Sequence, residues 1–261
     1  MYNPKISVAM ASYNCHMFIE ESLKSIISQT YSNWECIIVI DGGDVNRTIE
    51  VIKKVAREHH VLKKIKVFVH NLNYGYGAAL RNAIEKGTGE IVAIVDADDA
   101  LASPKAFEIM VSKHREHPEA SLIYSDYYEC NREMKNAYPK RCNEIPPNHS
   151  FLGKFRGDQY IGTNYNISHL KTFKKEAYNK TEGLDHTLLK AVDKDIVLKL
   201  EEVGSLVHVP KHLYYHRNHR DSISKMYRTR SPEYKAMIKE SKNRMYLNAK
   251  KRREQKNEHI H

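Results

Sequence analysis

The sequence predicts an α/β fold: a mostly parallel, doubly wound, Rossmann-like central sheet flanked by helices. Three observations carry this. In the first hundred residues, apolar runs alternate with segments of helical apolar spacing, in units of about 30 residues, as successive βαβ crossovers do. The apolar runs are continuous, as strands covered on both faces require. Finally, Asp96-Ala97-Asp98-Asp99 directly follows the run Ile91 to Val95. That places carboxylates at the carboxyl end of a strand, where open α/β sheets bind ligands.

Ile6 to Ala11 is the first predicted strand, and Phe18, Ile19, Leu23, Ile26 and Ile27 then recur at helical spacing. Cys36 to Ile40 is the second strand, ending at Asp41-Gly42-Gly43-Asp44. Ile49, Ile52, Val55 and Ala56 form a helix face, and Ile65 to Val69 is the third strand. Asn73-Tyr74-Gly75-Tyr76-Gly77 opens a helix that runs through Arg81 and stops near Gly87, before the strand that leads to Asp96. Ser103-Pro104 predicts an N-cap followed by Pro at the first helical position, with that helix ending before Pro118. Ser121 to Ser125 is a further strand. Residues 130–162 are polar, contain Pro and Gly and lack a period, so they predict long loops around a site. Ile196, Val197, Leu200 and Val203 line one face of a helix over Asp193 to Val203, with Gly204 as its stop and a short strand, Leu206 to Val209, after it. Ser231-Pro232 starts a last helix. Tyr234, Met237, Ile238, Ser241, Met245 and Ala249 give it a modest apolar stripe, and Lys250-Lys251-Arg252-Arg253 closes it.

A chain of 261 residues can bury a sizeable core without staples. Its four cysteines (Cys15, Cys36, Cys130, Cys142) have no CxxC spacing, so neither a zinc site nor a disulfide framework is expected. The apolar stretch after Met1-Tyr2-Asn3-Pro4-Lys5 is too short for a signal peptide or membrane span, and the expectation is a cytoplasmic protein. The net charge of +10 is uneven: from Lys225 to His261 there are twelve Lys/Arg against four Glu. The body is nearly neutral. A stripe on a basic helix either packs back on the domain or rests on an anionic membrane surface.

Carboxylates crowded at one strand end repel and raise one another's pKa unless a cation lies among them. Hard oxygen ligands without neighbouring Cys or His suit Mg²⁺ or Mn²⁺, which commonly bridge phosphate oxygens. The Asp96 cluster therefore points to a metal-assisted site for a phosphorylated substrate, the alternative being a solvated Asp-rich turn.

Five features together resemble the family 2 glycosyltransferases, nucleotide-sugar-dependent enzymes of the A-type fold, in the style of the bacterial spore-coat polysaccharide glycosyltransferase. They are Ser12-Tyr13-Asn14 after the first strand, Asp41-Gly42 after the second, Asn73 through Arg81-Asn82, Asp96-Ala97-Asp98, and Asp193-Lys194-Asp195 entering a late helix. His219, within the segment from Tyr215 to Ser224, completes the series. The resemblance covers roughly residues 4–224. It implies a glycosyltransferase domain over 1–224, with a nucleotide-binding half (1–100) and an acceptor-binding half (101–224), and a basic helical extension over 225–261.

The resemblance implies the following roles. Ala11, Tyr13, Asp41, Arg81, Asp96 and Ala97 contact the nucleotide sugar. Tyr13 stacks on the base, Asp41 accepts the uracil N3–H, and Asp96 sits near the ribose. Arg81 pairs with these carboxylates or with a phosphate. Asp98 and His219 hold Mn²⁺ or Mg²⁺, with His216 the close competitor, and Asp99 is free to share either aspartate's role. Asp193 is the general base, a role compatible with N-capping its helix, while Asp195 is a structural or helix-terminal carboxylate. The chain departs from the family at Ala11, where Pro is usual, at Ile40 in place of a first Asp, and at Val192 in place of Glu. The implied reaction is an inverting transfer from a UDP-sugar to a hydroxyl of a glycan or lipid-linked glycan. Two other classes are less consistent with the sequence. A nucleic-acid-binding protein is disfavoured by the near-neutral body and the lack of a binding motif. A sugar nucleotidyltransferase needs a glycine-rich basic loop where Ser12-Tyr13-Asn14-Cys15-His16 stands.

Overall fold

The computed structural model describes residues 2–146, 149–220, 222, 225 and 230–258. Asp221, Ile223 and Ser224, the end of the segment that carries His219, lie outside the described residues. Strands β1 (Ile6–Ser12), β2 (Trp34–Ile40), β3 (Ile65–Val69) and β4 (Ile91–Ile94) run parallel in the order β3-β2-β1-β4. Helices α1 (Ile19–Ile27), α2 (Val45–Glu58) and α3 (Tyr76–Lys86) connect them. The period of two along β1 divides the core. Ile6, Val8 and Met10 pack with Ile19, Leu23 and Ile26 of α1 and with Ile52 and Val55 of α2. Ala9 and Ala11 face the other way, towards Ala79, Leu80 and Ala83 of α3. With β2 and β4 on opposite sides of β1, the connections change direction there. Tyr13, Asp41 and Asp96 all follow the carboxyl ends of strands at this switch point.

The second half of the sheet is mixed. It contains β5 (Ala100–Leu101), β6 (Ala120–Cys130), β7 (Tyr138–Lys140), β10 (Lys171–Lys174) and β11 (Ser205–Arg217). Strand β10 lies antiparallel between β4 and β6, and β11 runs parallel to β6. Residues 130–162 are not all loop, because β7 pairs with β6, and β8 (Lys154–Arg156) forms a hairpin with β9 (Gln159–Gly162). Helix α4 (Ala106–Glu116) starts later than Ser103-Pro104 predicts, with Lys105 in the cap position. The Ser103 and Pro104 carbonyls accept bonds from the Gln29 side chain (2.7 Å) and the Thr30 N–H (2.8 Å), which hold this segment as a turn against α1. Helices α5 (Lys175–Asn179) and α6 (Val192–Glu201) complete the body.

The C-terminal helix, Pro232–Glu258, is capped by Ser231, whose Oγ accepts the Tyr234 N–H at 3.3 Å. Ile238, Met245, Tyr246 and Ala249 are buried, and the Tyr246 ring stacks on Tyr160 of β9 at 3.5 Å between centroids. Arg252 forms a two-bond pair with Glu202 (2.8 and 2.9 Å), and Arg253 pairs with Glu201 at 2.5 Å. The stripe and half of the closing basic run thus fasten the helix to α6 and β9. Of the predicted stripe, Met237 faces out.

Candidate active site

The turn after β4 gathers the carboxylates. Asp96 accepts the Tyr76 O–H at 2.8 Å, and its other oxygen lies 3.8 Å from His169 Nε2. Asp98 Oδ2 is 2.9 Å from His219 Nε2, so the two predicted metal ligands meet although 121 residues separate them. Asp99 accepts the Arg217 N–H at 2.7 Å, while the Arg217 Nε donates to the Asp98 carbonyl at 2.6 Å. The Tyr214 phenol oxygen accepts the Asp96 N–H at 3.1 Å and is also hydrogen-bonded to Asp99. Phe18 supports the His219 ring, with 4.5 Å between centroids, and lies under the Arg217 guanidinium. His216 is parallel to His169 at 6.1 Å and does not take the place of His219 against Asp98.

Burial, and then the neighbouring Asp98, push the Asp96 carboxyl up to about 7. The same causes in the same order raise Asp99 well above the carboxylate range. Burial drives His169 well below the usual imidazole range and lowers His216, so both stay neutral. Asp96, Asp99 and His169 bring one ligand atom each within 4.8 Å of one another. Crowded carboxylates beside neutral imidazoles form an oxygen-rich donor set that fits a divalent cation such as Mn²⁺ or Mg²⁺.

On the nucleotide side, Tyr13 is 49% exposed at the end of β1, where an aromatic ring can receive a base. Asn14 takes a left-handed conformation (φ 54°), and its Oδ1 accepts the Asp44 N–H at 2.8 Å. Gly43 (φ 75°) is required there, because a Cβ would sit 2.2 Å from that Oδ1 and 3.2 Å from the Tyr13 ring. Asp41 is only 2% exposed, and its carboxylate is largely engaged. Oδ1 accepts from His70 Nδ1 (2.6 Å) and the Tyr74 N–H (2.9 Å), and Oδ2 accepts from the Gly75 N–H (2.7 Å). Asn82 donates to His70 Nε2 at 2.7 Å, so it acts on Asp41 through that ring. Arg81 does not pair with the Asp96 cluster. Its Nε binds Glu85 at 2.7 Å and its Nη1 the Leu184 carbonyl at 3.1 Å, since it points along α3 towards the 184 loop. Ala11 and Ala97 are buried backbone positions beside these groups.

Asp193 is in the first turn of α6, its side chain 36% exposed, and Oδ2 lies 3.5 Å from the Nζ of Lys171. It does not cap the helix: Ala191, at φ 66°, holds that position and Val192 intervenes. Asp195 is structural, accepting from the Asp185 N–H and from Lys199, each at 2.9 Å. Gly77 lets α3 approach α6, since a Cβ would stand 3.2 Å from Val192. Sequence reasoning missed His70, His169, Lys171 and Tyr214, none of which belongs to a local pattern, while Tyr76 stood in the Asn73–Gly77 motif with no role attached. Arg217 stood in the His219 segment with no role attached.

The family model "Glycosyl transferase family 2" matches residues 7–181. Chondroitin synthase of Escherichia coli is 26% identical over 224 residues, 85% of this chain and 30% of that protein, so the chain spans less than a third of this relative's length. The crystal structure of S. aureus TarS 1-349 in complex with UDP superposes with a TM-score of 0.65 at 20% identity, covering 83% of this chain and 61% of the other. Mannosyltransferase PcManGT of Pyrobaculum calidifontis, in complex with GDP-Man and Mn²⁺, superposes with a TM-score of 0.63 at 16% identity, covering 95% and 73%. Both likenesses show the A-type glycosyltransferase fold.

Proposed function

The chain belongs to glycosyl transferase family 2, and from that premise we propose that it is an inverting, metal-dependent transferase moving a sugar from a UDP-sugar to a hydroxyl of a glycan or lipid-linked glycan. One observation carries the reading. The partly open carboxylate Asp193 pairs with the buried Lys171 at 3.5 Å, and the charges of both act on Asp96 in the crowded cluster after β4. A base for the acceptor and a cradle for the donor diphosphate therefore share one site.

Tyr13 stacks on the base, a contact worth about 1–3 kcal/mol. Uridine selection falls to Asp41 Oδ2, which keeps one acceptor position beyond its bond to Gly75. Asp98 and His219 would hold the divalent ion, and Asp96, steadied by Tyr76, faces the ribose. When bound, that ion offsets the charge on the leaving diphosphate. Asp193, in the first turn of α6, takes the acceptor hydroxyl's proton as that oxygen attacks the anomeric carbon. Binding of UDP and of GDP-Man by the two structural neighbours is consistent with a nucleotide-sugar donor, and the likeness to a chondroitin synthase with a glycan acceptor.

The test is Asp193→Asn, which keeps size and hydrogen bonding. UDP should still raise the melting temperature in Mn²⁺, while transfer falls by about 10²–10⁴. NMR of the wild-type product should show an inverted anomer. Near wild-type transfer by the variant, or a retained anomer, would sink the mechanism, and stabilisation by GDP far beyond UDP would sink the role of Asp41.

A further inference from the structure

Lys171 is a charged side chain in the middle of the sheet. It lies on β10 opposite Ile94 of β4 and Tyr124 of β6, and none of its surface is exposed. A buried ammonium loses its hydration and needs partners for three N–H donors. Among the described residues its Nζ has one, the Asp193 Oδ2 at 3.5 Å. Its charge extends further, holding down the proton affinity of Asp96 and opposing protonation of His169 and His216. The two partners differ in kind. Lys171 is fixed by a central strand. Asp193 stands on the first turn of a helix preceded by a left-handed residue, Ala191, and is open to solvent. Lys242, Tyr76 and Tyr246 also feel the Asp193 charge, yet the ion pair described for Asp193 is with Lys171.

We propose that Lys171 is a positioning residue: the sheet-anchored ammonium holds the Asp193 carboxylate in the orientation from which it takes the acceptor's proton. The proposal rests on the reading of Asp193 as the base. It differs from a purely structural role, in which Lys171 only offsets the acidic cluster and would act whether or not Asp193 is ionisable.

The experiment is a double-mutant cycle on the full chain with Mn²⁺. It measures UDP release to water from whichever of UDP-glucose, UDP-N-acetylglucosamine, UDP-galactose and UDP-glucuronate is turned over fastest. Lys171→Met keeps the length and removes the charge. It should lower kcat about 10- to 100-fold while KM and the Kd for UDP stay within about twofold. In the Asp193→Asn background the same substitution should have no further effect, because residues that act through one another are not additive. Equal losses in both backgrounds, or a tenfold rise in the Kd for UDP at unchanged kcat, would overturn the proposal. Should Lys171→Met fail to fold, Lys171→Arg keeps the charge but displaces it. A two- to tenfold loss of kcat confined to the native background supports the proposal, and equal or absent losses overturn it. A silent Asp193→Asn in an active enzyme would instead remove the base assignment itself, so the two failures are distinguishable.

Discussion

At the scale of single residues, the 2.9 Å contact of Asp98 with His219 makes unequal predictions for the two. Asp98→Ala removes the charged ligand and should abolish Mn²⁺-dependent UDP stabilisation. His219→Ala removes a neutral ligand that water can replace, so it should weaken UDP binding by about tenfold, as loss of one outer contact to a metal site does. Full wild-type activity in EDTA would remove the metal role altogether. The raised pKa values give a second prediction with a definite sign. The native state holds protons on Asp96 and Asp99 that the unfolded chain releases above about pH 4, so these groups lower stability as pH rises towards 7. The buried neutral histidines act oppositely, so the difference between Asp96→Asn and wild type isolates the effect. The variant's advantage in melting temperature without metal should grow from pH 5 to 7. The gain of the wild type on adding Mn²⁺ should grow over the same range, because a cation beside Asp96 and Asp99 favours their deprotonated forms. A gain independent of pH would contradict both. The acidic cluster after β4 was legible in the sequence because a strand end leaves a local signal, and Asp193 and His219 were picked out by the family resemblance alone. Lys171, His169 and Tyr76 were not. Their roles come from β10 being laid beside β4 and α3 being packed across β1 and β2, which no spacing in the chain encodes.

At the scale of elements, the strand and helix alternation of the first hundred residues was legible because β1, β2 and β4 are covered on both faces, the edge strand β3 keeps an apolar run, and each helix has one apolar face. Strand β10 was not. Lys-Thr-Phe-Lys is four residues long with lysine at both ends, and only its neighbours β4 and β6 make it a central strand. The start of α4 was misplaced because bonds from Gln29 and Thr30 override the local Ser-Pro signal. In the C-terminal helix the stripe was legible but not the direction it faces. Tyr246, buried against Tyr160, now identifies its dock. Tyr246→Ala should cost about 3 kcal/mol, as truncating a buried aromatic does, measured by chemical denaturation. A loss below about 1 kcal/mol would mean that the helix contributes little to the body.

At the scale of the whole molecule, the charge asymmetry acquires a different meaning. The tail holds most of the net charge, but Arg252 and Arg253 are paired with Glu202 and Glu201 and the apolar stripe faces inward. No helix among the described residues is long and apolar enough to cross a membrane. Peripheral contact with an anionic membrane through residues 225–261 is therefore a proposal that rests on the outward cations alone, among them Lys239, Arg244 and Lys251. Deleting the tail is the wrong test, because it would uncover Tyr160 and the outer face of α6 and should destabilise the body. Replacing Lys239, Arg244 and Lys251 by Gln keeps the apolar docked face and gives up one 3.4 Å bond, from Arg244 Nη2 to the Thr187 hydroxyl. With each cation near the surface worth about 1 kcal/mol, the triple variant should partition onto phosphatidylserine vesicles about a hundredfold less than wild type at low salt. UDP binding in Mn²⁺ should be unchanged. If the wild type does not co-sediment with such vesicles at low salt, the tail is a brace, and its remaining charge is the solvated side of a packed helix.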